Sequence, residues 1–211
     1  MVLRFVEGEI LKKEKCMVCQ KNEALWDPGL KEFVPCLDCL KEKRRVGMEH
    51  ILNRSLQRSG IPKRFLEAKL QDFKKPTCDL NPNTGFLVTG PVGCGKTHLL
   101  AALARELILD SKQVLFVQSS TFLKRVRNEI QGSKTDLIEK AISVPFLFLD
   151  DFGTEKVTDW VYETWFTLLN ERYSECRYIS VSANSPDTLD GRLFRRIIDM
   201  TLLVDLPERF G

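Results

Sequence analysis

The chain has 211 residues, of which 43% are hydrophobic and 29% are charged. This composition is that of a globular protein with a sizeable core, and the length allows one α/β domain with a small appendage but excludes two large domains. No apolar run approaches the roughly 20 residues that span a bilayer. The charged N-terminus MVLRFVEGEILKKEK does not fit a signal peptide, so we expect a cytoplasmic protein.

Charge is unevenly spread along the chain. The net charge is +3, but residues 1–75 carry 17 Lys and Arg against 11 Asp and Glu, whereas residues 76–211 carry 15 against 18. A basic leading segment is compatible with nucleic acid or an acidic partner, and it is also compatible with a solvated helix surface. Charge alone favours the solvated surface.

The first 40 residues contain four of the seven cysteines, arranged as CMVC at 16–19 and CLDC at 36–39 with sixteen residues between the pairs. Two such pairs can supply the four thiolates that Zn²⁺ prefers, and disulfides are disfavoured in a reducing compartment. We therefore predict a zinc-binding module over residues 1–40. Its ligands would be Cys16, Cys19, Cys36 and Cys39. An iron–sulfur cluster or four unliganded cysteines are the less favoured alternatives.

Two further zones follow the cysteines. Residues 41–75 read as a basic helical linker: a basic helix, a break at Gly60 and Pro62, and a shorter amphipathic helix. Residues 76–211 alternate short apolar runs with helical patterns, which predicts a three-layer α/β domain with a parallel sheet. The predicted strands are Phe86–Thr89, Val114–Gln118, Phe146–Asp150, Tyr178–Ala183 and Leu202–Leu206. The predicted helices lie near Lys96–Leu109, Ser120–Gln131, Leu137–Ala141, Val157–Tyr173 and Asp187–Asp199.

The sequence GPVGCGKT at residues 90–97 stands between a predicted strand and a predicted helix. Its glycines let backbone N–H groups and the positive end of the helix approach the phosphates of a nucleotide. Lys96 would reach the β- and γ-phosphates of ATP, and the Thr97 hydroxyl would ligate Mg²⁺. His98 is more typical of helix packing than of chemistry. The predicted nucleotide contacts are Gly90, Pro91, Val92, Gly93, Cys94, Gly95, Lys96, Thr97 and His98.

The third predicted strand ends in two carboxylates, in the sequence VPFLFLDDFG. Asp150 would hold Mg²⁺ beside Thr97, and Asp151 would orient or activate the attacking water. A polar turn after a buried strand would explain one acid, but it explains two adjacent acids less well.

Polar residues after the fourth strand are weaker candidates. Asn184 could sense the γ-phosphate, or it could cap the following helix, and its position does not distinguish the two. Arg192 and Arg196 share one helix face and could stabilise transition-state charge in a neighbouring subunit. A surface salt-bridge role is the favoured interpretation of an isolated arginine.

Taken together, GPVGCGKTHL, LFLDDFGTEK, VSAN, GRLFRRI and IPKRFLEAKLQDF resemble the AAA+ ATPases of the bacterial replicative helicase loaders, DnaC and DnaI, and their relative IstB. The resemblance covers about residues 60–211. It implies a sheet ordered 5-1-4-3-2, nucleotide held between protomers, single-stranded DNA binding, and no helical lid. The zinc module resembles the DnaI arrangement more than that of IstB.

The resemblance also assigns roles to residues. Lys96 and Thr97 match the Walker A motif, and Asp150 and Asp151 match the Walker B motif. Asn184 matches sensor 1. The remaining matches are Arg196, then Arg192, for the trans-acting arginine finger, and Arg209, weakly, for sensor 2.

The leading hypothesis is an ATP-dependent loader of the hexameric replicative helicase onto single-stranded DNA, with slow, regulatory hydrolysis and self-association through the ATPase domain. The helicase would be held by residues 1–58. Basic side chains and an aromatic ring on the helix after the second strand would contact DNA, namely Phe122, Lys124, Arg125 and Arg127. The alternatives are an IstB-like transposition helper, a P-loop small-molecule kinase, and a DNA-binding module with a vestigial ATPase.

Overall fold

The computed structural model describes residues 3–6, 9–12, 24–27, 32–73, 80–132, 136–185 and 191–207. The chain divides into two compact units, Met1–Asn53 and Arg54–Gly211. None of the helices in these ranges is both long enough and apolar enough to cross a membrane.

The first unit contains two antiparallel hairpins and most of a long helix. Strands β1 (Leu3–Val6) and β2 (Glu9–Lys12) form one hairpin, and β3 (Ala24–Asp27) and β4 (Glu32–Pro35) form the other. Helix α1 follows directly over Leu37–Arg58. The sequence of residues 1–40 shows little strand periodicity, because four-residue strands are too short for an alternating pattern to be recognised.

The second unit contains a five-stranded, all-parallel sheet ordered β6-β7-β8-β5-β9. The strands are β5 (Phe86–Thr89), β6 (Val114–Gln118), β7 (Phe146–Phe152), β8 (Tyr178–Ala183) and β9 (Leu202–Asp205). Counted from the first strand of this unit, the order is 2-3-4-1-5, which confirms the predicted order 5-1-4-3-2 read from the other edge. Strand β7 continues two residues beyond the predicted end, so both acidic residues belong to the strand.

Helices cover both faces of this sheet and give the predicted three layers. Helix α2 packs on one face, whereas α3, α5 and α6 pack on the other and α4 joins them through α3 and α5. Their bounds are α2 (Lys96–Leu109), α3 (Ser119–Gln131), α4 (Asp136–Ser143), α5 (Asp159–Ser174) and α6 (Gly191–Met200). Alternate residues of the buried strands face the two layers, so each face has its own apolar contacts.

The prediction of a second amphipathic helix after Pro62 is wrong. Two 3-10 turns, Lys63–Phe65 and Leu70–Asp72, stand in its place and pack against α2. Tertiary contacts explain the difference, because Arg105 of α2 donates to the backbone carbonyl of Leu66 and thereby takes a partner that a continuous helix would use. The predicted break at Gly60 is present, with φ of 90°.

Candidate nucleotide site

The loop before α2 has the backbone conformation that its glycines allow. Gly90, Gly93 and Gly95 all have positive φ, at 140°, 85° and 105°. A Cβ atom on Gly90 would lie 2.4 Å from the carbonyl oxygen of Leu206 and 2.9 Å from the sulfur of Cys94. The loop is therefore packed too closely against its neighbours for a side chain at this position, and glycine is required.

Lys96 is folded into the loop. Its Nζ donates to the backbone carbonyls of Gly90 at 2.7 Å and Pro91 at 2.9 Å, and the residue is buried. The Lys96 ammonium group thus lies against the loop, next to the N-terminus of α2. In this position it is suited to replace a carbonyl acceptor with a phosphate oxygen of a nucleotide.

Thr97 and Asp150 meet across the edge of the sheet. The Thr97 hydroxyl lies 3.0 Å and 3.1 Å from the two carboxylate oxygens of Asp150. Burial raises the pKa of the Asp150 carboxyl, and the hydrogen bond from the Ser182 hydroxyl acts in the opposite direction. A buried carboxylate beside a hydroxyl offers hard oxygen ligands, so this pair fits Mg²⁺.

Both the backbone and the carboxylate of Asp151 have a polar side chain of a neighbouring strand as a partner. Its φ is 55°, a left-handed conformation that aspartate tolerates better than most residues. The Asp151 N–H donates to Ser182 Oγ at 2.9 Å, and Gln118 Nε2 approaches the Asp151 carboxylate at 3.5 Å. Sequence reasoning missed both Ser182 and Gln118. The one available signal was the alternation of serines in YISVSA, which places two hydroxyls on one face of a buried strand.

Four further residues are predicted to sense nucleotide or complete the site, namely Asn184, Arg192, Arg196 and Arg209. Asn184 is exposed directly after β8. On α6, Arg192 is exposed, whereas Arg196 is half-buried and its guanidinium lies 4.4 Å from the centre of the Tyr173 ring. Arg209 lies outside the described residues. The roles of these four residues stay predictions.

The side chain of His98 connects the start of α2 to the preceding segment. Its ring stacks on Phe65 at 5.6 Å and meets the edge of Phe73 at 5.0 Å, and its Nε2 lies 3.0 Å from a carboxylate oxygen of Asp72. These contacts are those of a packing residue, as the sequence indicated.

The four side chains predicted to contact DNA do not share one face of α3. Phe122 is buried and stacks on Trp165 at 5.2 Å, so its ring belongs to the core and cannot stack on a base. The reason is the helical period, because Phe122, Leu123 and Val126 form the inward face of α3. Lys124 and Arg125 are exposed, and Arg127 lies over the ring of Trp160.

Two of the four cysteines of the predicted zinc module, Cys36 and Cys39, lie among the described residues. Cys36 directly follows β4, Cys39 lies in the first turn of α1, and both are buried. Cys16 and Cys19 lie outside the described residues. Within the described ranges no three His, Cys, Asp or Glu side chains form a group that could hold a metal ion.

Comparison with known protein families identifies the domain that carries the site. Residues 65–203 match the model of the bacterial DnaA ATPase domain. The chain belongs to this family. The match includes the phosphate loop, both acidic residues and the strand that bears Ser182, and it confirms the predicted AAA+ ATPase domain.

Individual relatives agree with this assignment. The chain is 33% identical over 121 residues to the replicative helicase loader DnaI of Bacillus subtilis, covering 56% of this chain and 39% of that protein. The crystal structure of the DnaC helicase loader superposes with a TM-score of 0.61 at 21% identity, over 69% of this chain and 99% of that one. AMPPCP-bound DnaA from Aquifex aeolicus gives 0.60 at 19% identity, over 69% and 51%. The resemblance to the DnaC and DnaI ATPases is thus confirmed, and the chain spans well under half the length of its DnaI relative.

Proposed function

We propose that this protein is an ATP-dependent loader of the replicative DNA helicase onto single-stranded DNA. The observation that carries the proposal is the convergence of Lys96, Thr97 and Asp150 in a domain similar to a replicative helicase loader. As such a loader, the protein would act in the cytoplasm.

The chemistry of the converging groups supports ATP hydrolysis as the reaction. Backbone N–H groups of residues 93–97 and the Lys96 ammonium would bind the phosphates, while Thr97 and Asp150 would hold Mg²⁺. The bound ion would supply charge stabilisation at the β- and γ-phosphate oxygens. Asp151 would orient the attacking water, and Asn184 would sense the γ-phosphate. An arginine from a second copy, Arg196 or Arg192, would complete the site.

Partner binding would divide between the two units. We assign the helicase contact to residues 1–58, with a zinc ion held by Cys16, Cys19, Cys36 and Cys39. Burial of the Cys36 and Cys39 side chains at the start of α1 supports this assignment, because a metal held there would fix the helix to the hairpins.

Single-stranded DNA would contact the exposed cations of α3. Lys124 and Arg125 are the candidates, now without Phe122. Charge alone would track the phosphate backbone, so we expect binding that weakens steeply with salt.

The central experiment is co-purification with the cognate hexameric helicase, with and without ATP, alongside release of inorganic phosphate from ATP in the absence of any acceptor. We expect helicase capture by the wild type and phosphate release that Lys96→Ala abolishes. Absence of helicase capture under both conditions would contradict the loader proposal, and phosphate transfer that requires a small-molecule acceptor would indicate a kinase.

Two paired variants test the partner surfaces. Cys36→Ser is expected to lose zinc and helicase capture, whereas Cys176→Ser, at an exposed cysteine of the second unit, should keep both.

Charge reversal of Lys124 and Arg125 should weaken binding of single-stranded DNA, with Lys112 and Lys140 as exposed controls. Equal DNA binding by the two reversed pairs would exclude α3 as the contact.

A further inference from the structure

We propose that Ser182 is a positioning residue of the ATPase reaction, which holds Asp150 and Asp151 in the geometry that binds magnesium–nucleotide. The proposal rests on the proposed ATPase function. It assigns a role to a residue of β8 that lies two positions before Asn184, outside the loop and the acidic pair themselves.

The need for such a residue arises from an irregularity in the sheet. Leu149 of β7 pairs with Val181 of β8, and Phe152 pairs with Ala183, so two residues of β7 stand opposite the single residue Ser182. This is the arrangement of a β-bulge, which leaves an extra residue outside the regular ladder. One of the two acids is therefore the extra residue. Asp150 keeps Gln118 of β6 as its ladder partner, whereas the Asp151 N–H needs a partner from outside the ladder.

Ser182 supplies that partner with its side chain. The Asp151 N–H donates to Ser182 Oγ at 2.9 Å, and Ser182 Oγ donates to Asp150 Oδ1 at 2.7 Å. One hydroxyl therefore contacts both members of the acidic pair, through the backbone of one and the carboxylate of the other.

The direction of these two bonds is fixed by proton count. A backbone N–H can only donate, so Ser182 Oγ must accept from Asp151, and its single hydroxyl proton is then free for Asp150. The amide thus holds the serine hydroxyl in the role of donor. Ser182 is fully buried, so bulk water does not replace the hydroxyl when it is removed.

The consequence for the site concerns both acids. Asp150 is held at Oδ1 by Ser182, so the Thr97 hydroxyl can turn from the carboxylate to a metal ion without releasing the carboxylate. Asp151 keeps its left-handed backbone conformation at the bulge, which sets where its carboxylate points. Without the hydroxyl, the Asp150 carboxylate loses a hydrogen-bond donor and the Asp151 N–H loses its acceptor.

The same strand provides a matched control. Ser180 is also fully buried on the same face of β8, but its Oγ accepts from the Phe86 N–H at 3.0 Å and contacts the Tyr178 hydroxyl at 2.7 Å. Ser180→Ala therefore removes a buried serine hydroxyl from the same strand without touching the acidic pair.

The test measures affinity for a fluorescent, non-hydrolysable ATP analogue during a Mg²⁺ titration and in EDTA, together with kcat and KM for ATP. For Ser182→Ala we expect the Mg²⁺ concentration at half-maximal binding to rise about tenfold and kcat to fall by a similar factor, with affinity in EDTA unchanged. Ser182→Thr, which keeps the hydroxyl, should restore both values to within about twofold. Ser180→Ala should resemble the wild type in the Mg²⁺ midpoint.

Three results would overturn the proposal. One is a wild-type Mg²⁺ midpoint in Ser182→Ala; another is an equal shift in Ser180→Ala; the third is an equal loss of affinity with and without Mg²⁺, which indicates a general structural role. If Ser182→Ala does not fold, Ser182→Cys takes its place in the same titration. A thiol keeps the side-chain volume but is only a weak hydrogen-bond donor.

The analogue separates this proposal from the ATPase assignment. A wild type that binds the analogue in a Mg²⁺-dependent way but releases no phosphate would contradict hydrolysis, while the Ser182 variants would still report on positioning. Binding that is insensitive to Mg²⁺ in the wild type would contradict both.

Discussion

A buried ionisable side chain lies near each end of strand β7, and the two side chains have different kinds of hydrogen-bond partner. Near the N-terminal end, Arg172 is fully buried, and its two terminal nitrogens donate to five backbone carbonyls. At the C-terminal end, Asp150 accepts from the hydroxyls of Thr97 and Ser182. The acceptors around Arg172 belong to Ala141, Ile142, Val144, Pro145 and Tyr178.

Under the proposed function, this difference separates a structural charge, Arg172, from a functional one, Asp150. Backbone carbonyls are fixed by the fold, so Arg172 joins the end of α4 to the starts of β7 and β8 permanently. The Thr97 hydroxyl can rotate to another partner while Ser182 holds the carboxylate, so Asp150 can accept a cation without rearrangement of the backbone. Burial lowers the pKa of Arg172 to about 10, which keeps it charged at neutral pH, and burial raises the pKa of Asp150.

The largest effect that follows from this comparison is a loss of activity without a loss of stability. Asp150→Asn keeps the shape but removes the charge that would hold Mg²⁺, so we expect ATP hydrolysis to fall about 10³-fold, equivalent to about 4 kcal/mol. The free energy of unfolding should stay equal or rise by about 1 kcal/mol, because a desolvated carboxylate is removed.

Phosphate release and urea denaturation measure these two quantities on the same preparation. Asp110→Asn, at an exposed position just after α2, serves as the control. A marked fall in the stability of Asp150→Asn would show that the aspartate is a structural charge like the arginine.

Arg172→Met should show the opposite pattern. Removing the guanidinium leaves several buried carbonyls without a donor, so we expect the free energy of unfolding to fall by about 3 kcal/mol. The affinity of the folded protein for nucleotide should change little, because the site lies at the other end of the strand.

Urea denaturation and nucleotide titration again separate the two effects. Arg172→Lys is the informative companion, since its ammonium keeps the charge but can reach fewer carbonyls and should fall between the wild type and Arg172→Met. An Arg172→Met protein of wild-type stability would show that the carbonyl cluster does not need its donor.

The sequence was a reliable guide to features that depend on local pattern. Buried parallel strands produce continuous apolar runs, so all five strands of the second unit and their helices could be predicted within a few residues. The phosphate loop and the acidic pair stand at the ends of such strands. Since parallel strands end at one edge of the sheet, Thr97 and Asp150 could be expected to meet there.

Features that depend on distant contacts could not be predicted. The bulge at Asp150 and Asp151 is set by the pairing of β7 with β8, and a single strand does not show its register. Arg172 stands in NERYS, which looks like the charged end of an exposed helix. Phe122 could be assigned to the core or to DNA from the sequence alone, and only its contact with Trp165 decides for the core.

The smallest effect concerns the arginine next to this cluster. Arg177 donates from Nη1 to the Ile142 carbonyl at 2.8 Å, a carbonyl that Arg172 also contacts, and its positive charge contributes to the lowered pKa of Arg172. Arg177→Ala therefore removes one hydrogen bond but also relieves a repulsion, and we expect a loss of at most about 1 kcal/mol in the free energy of unfolding. In the double variant with Arg172→Met the two losses should not add, because the residues share an acceptor. Additive losses, measured by urea denaturation of all four proteins, would show that the two arginines stabilise the fold independently of each other.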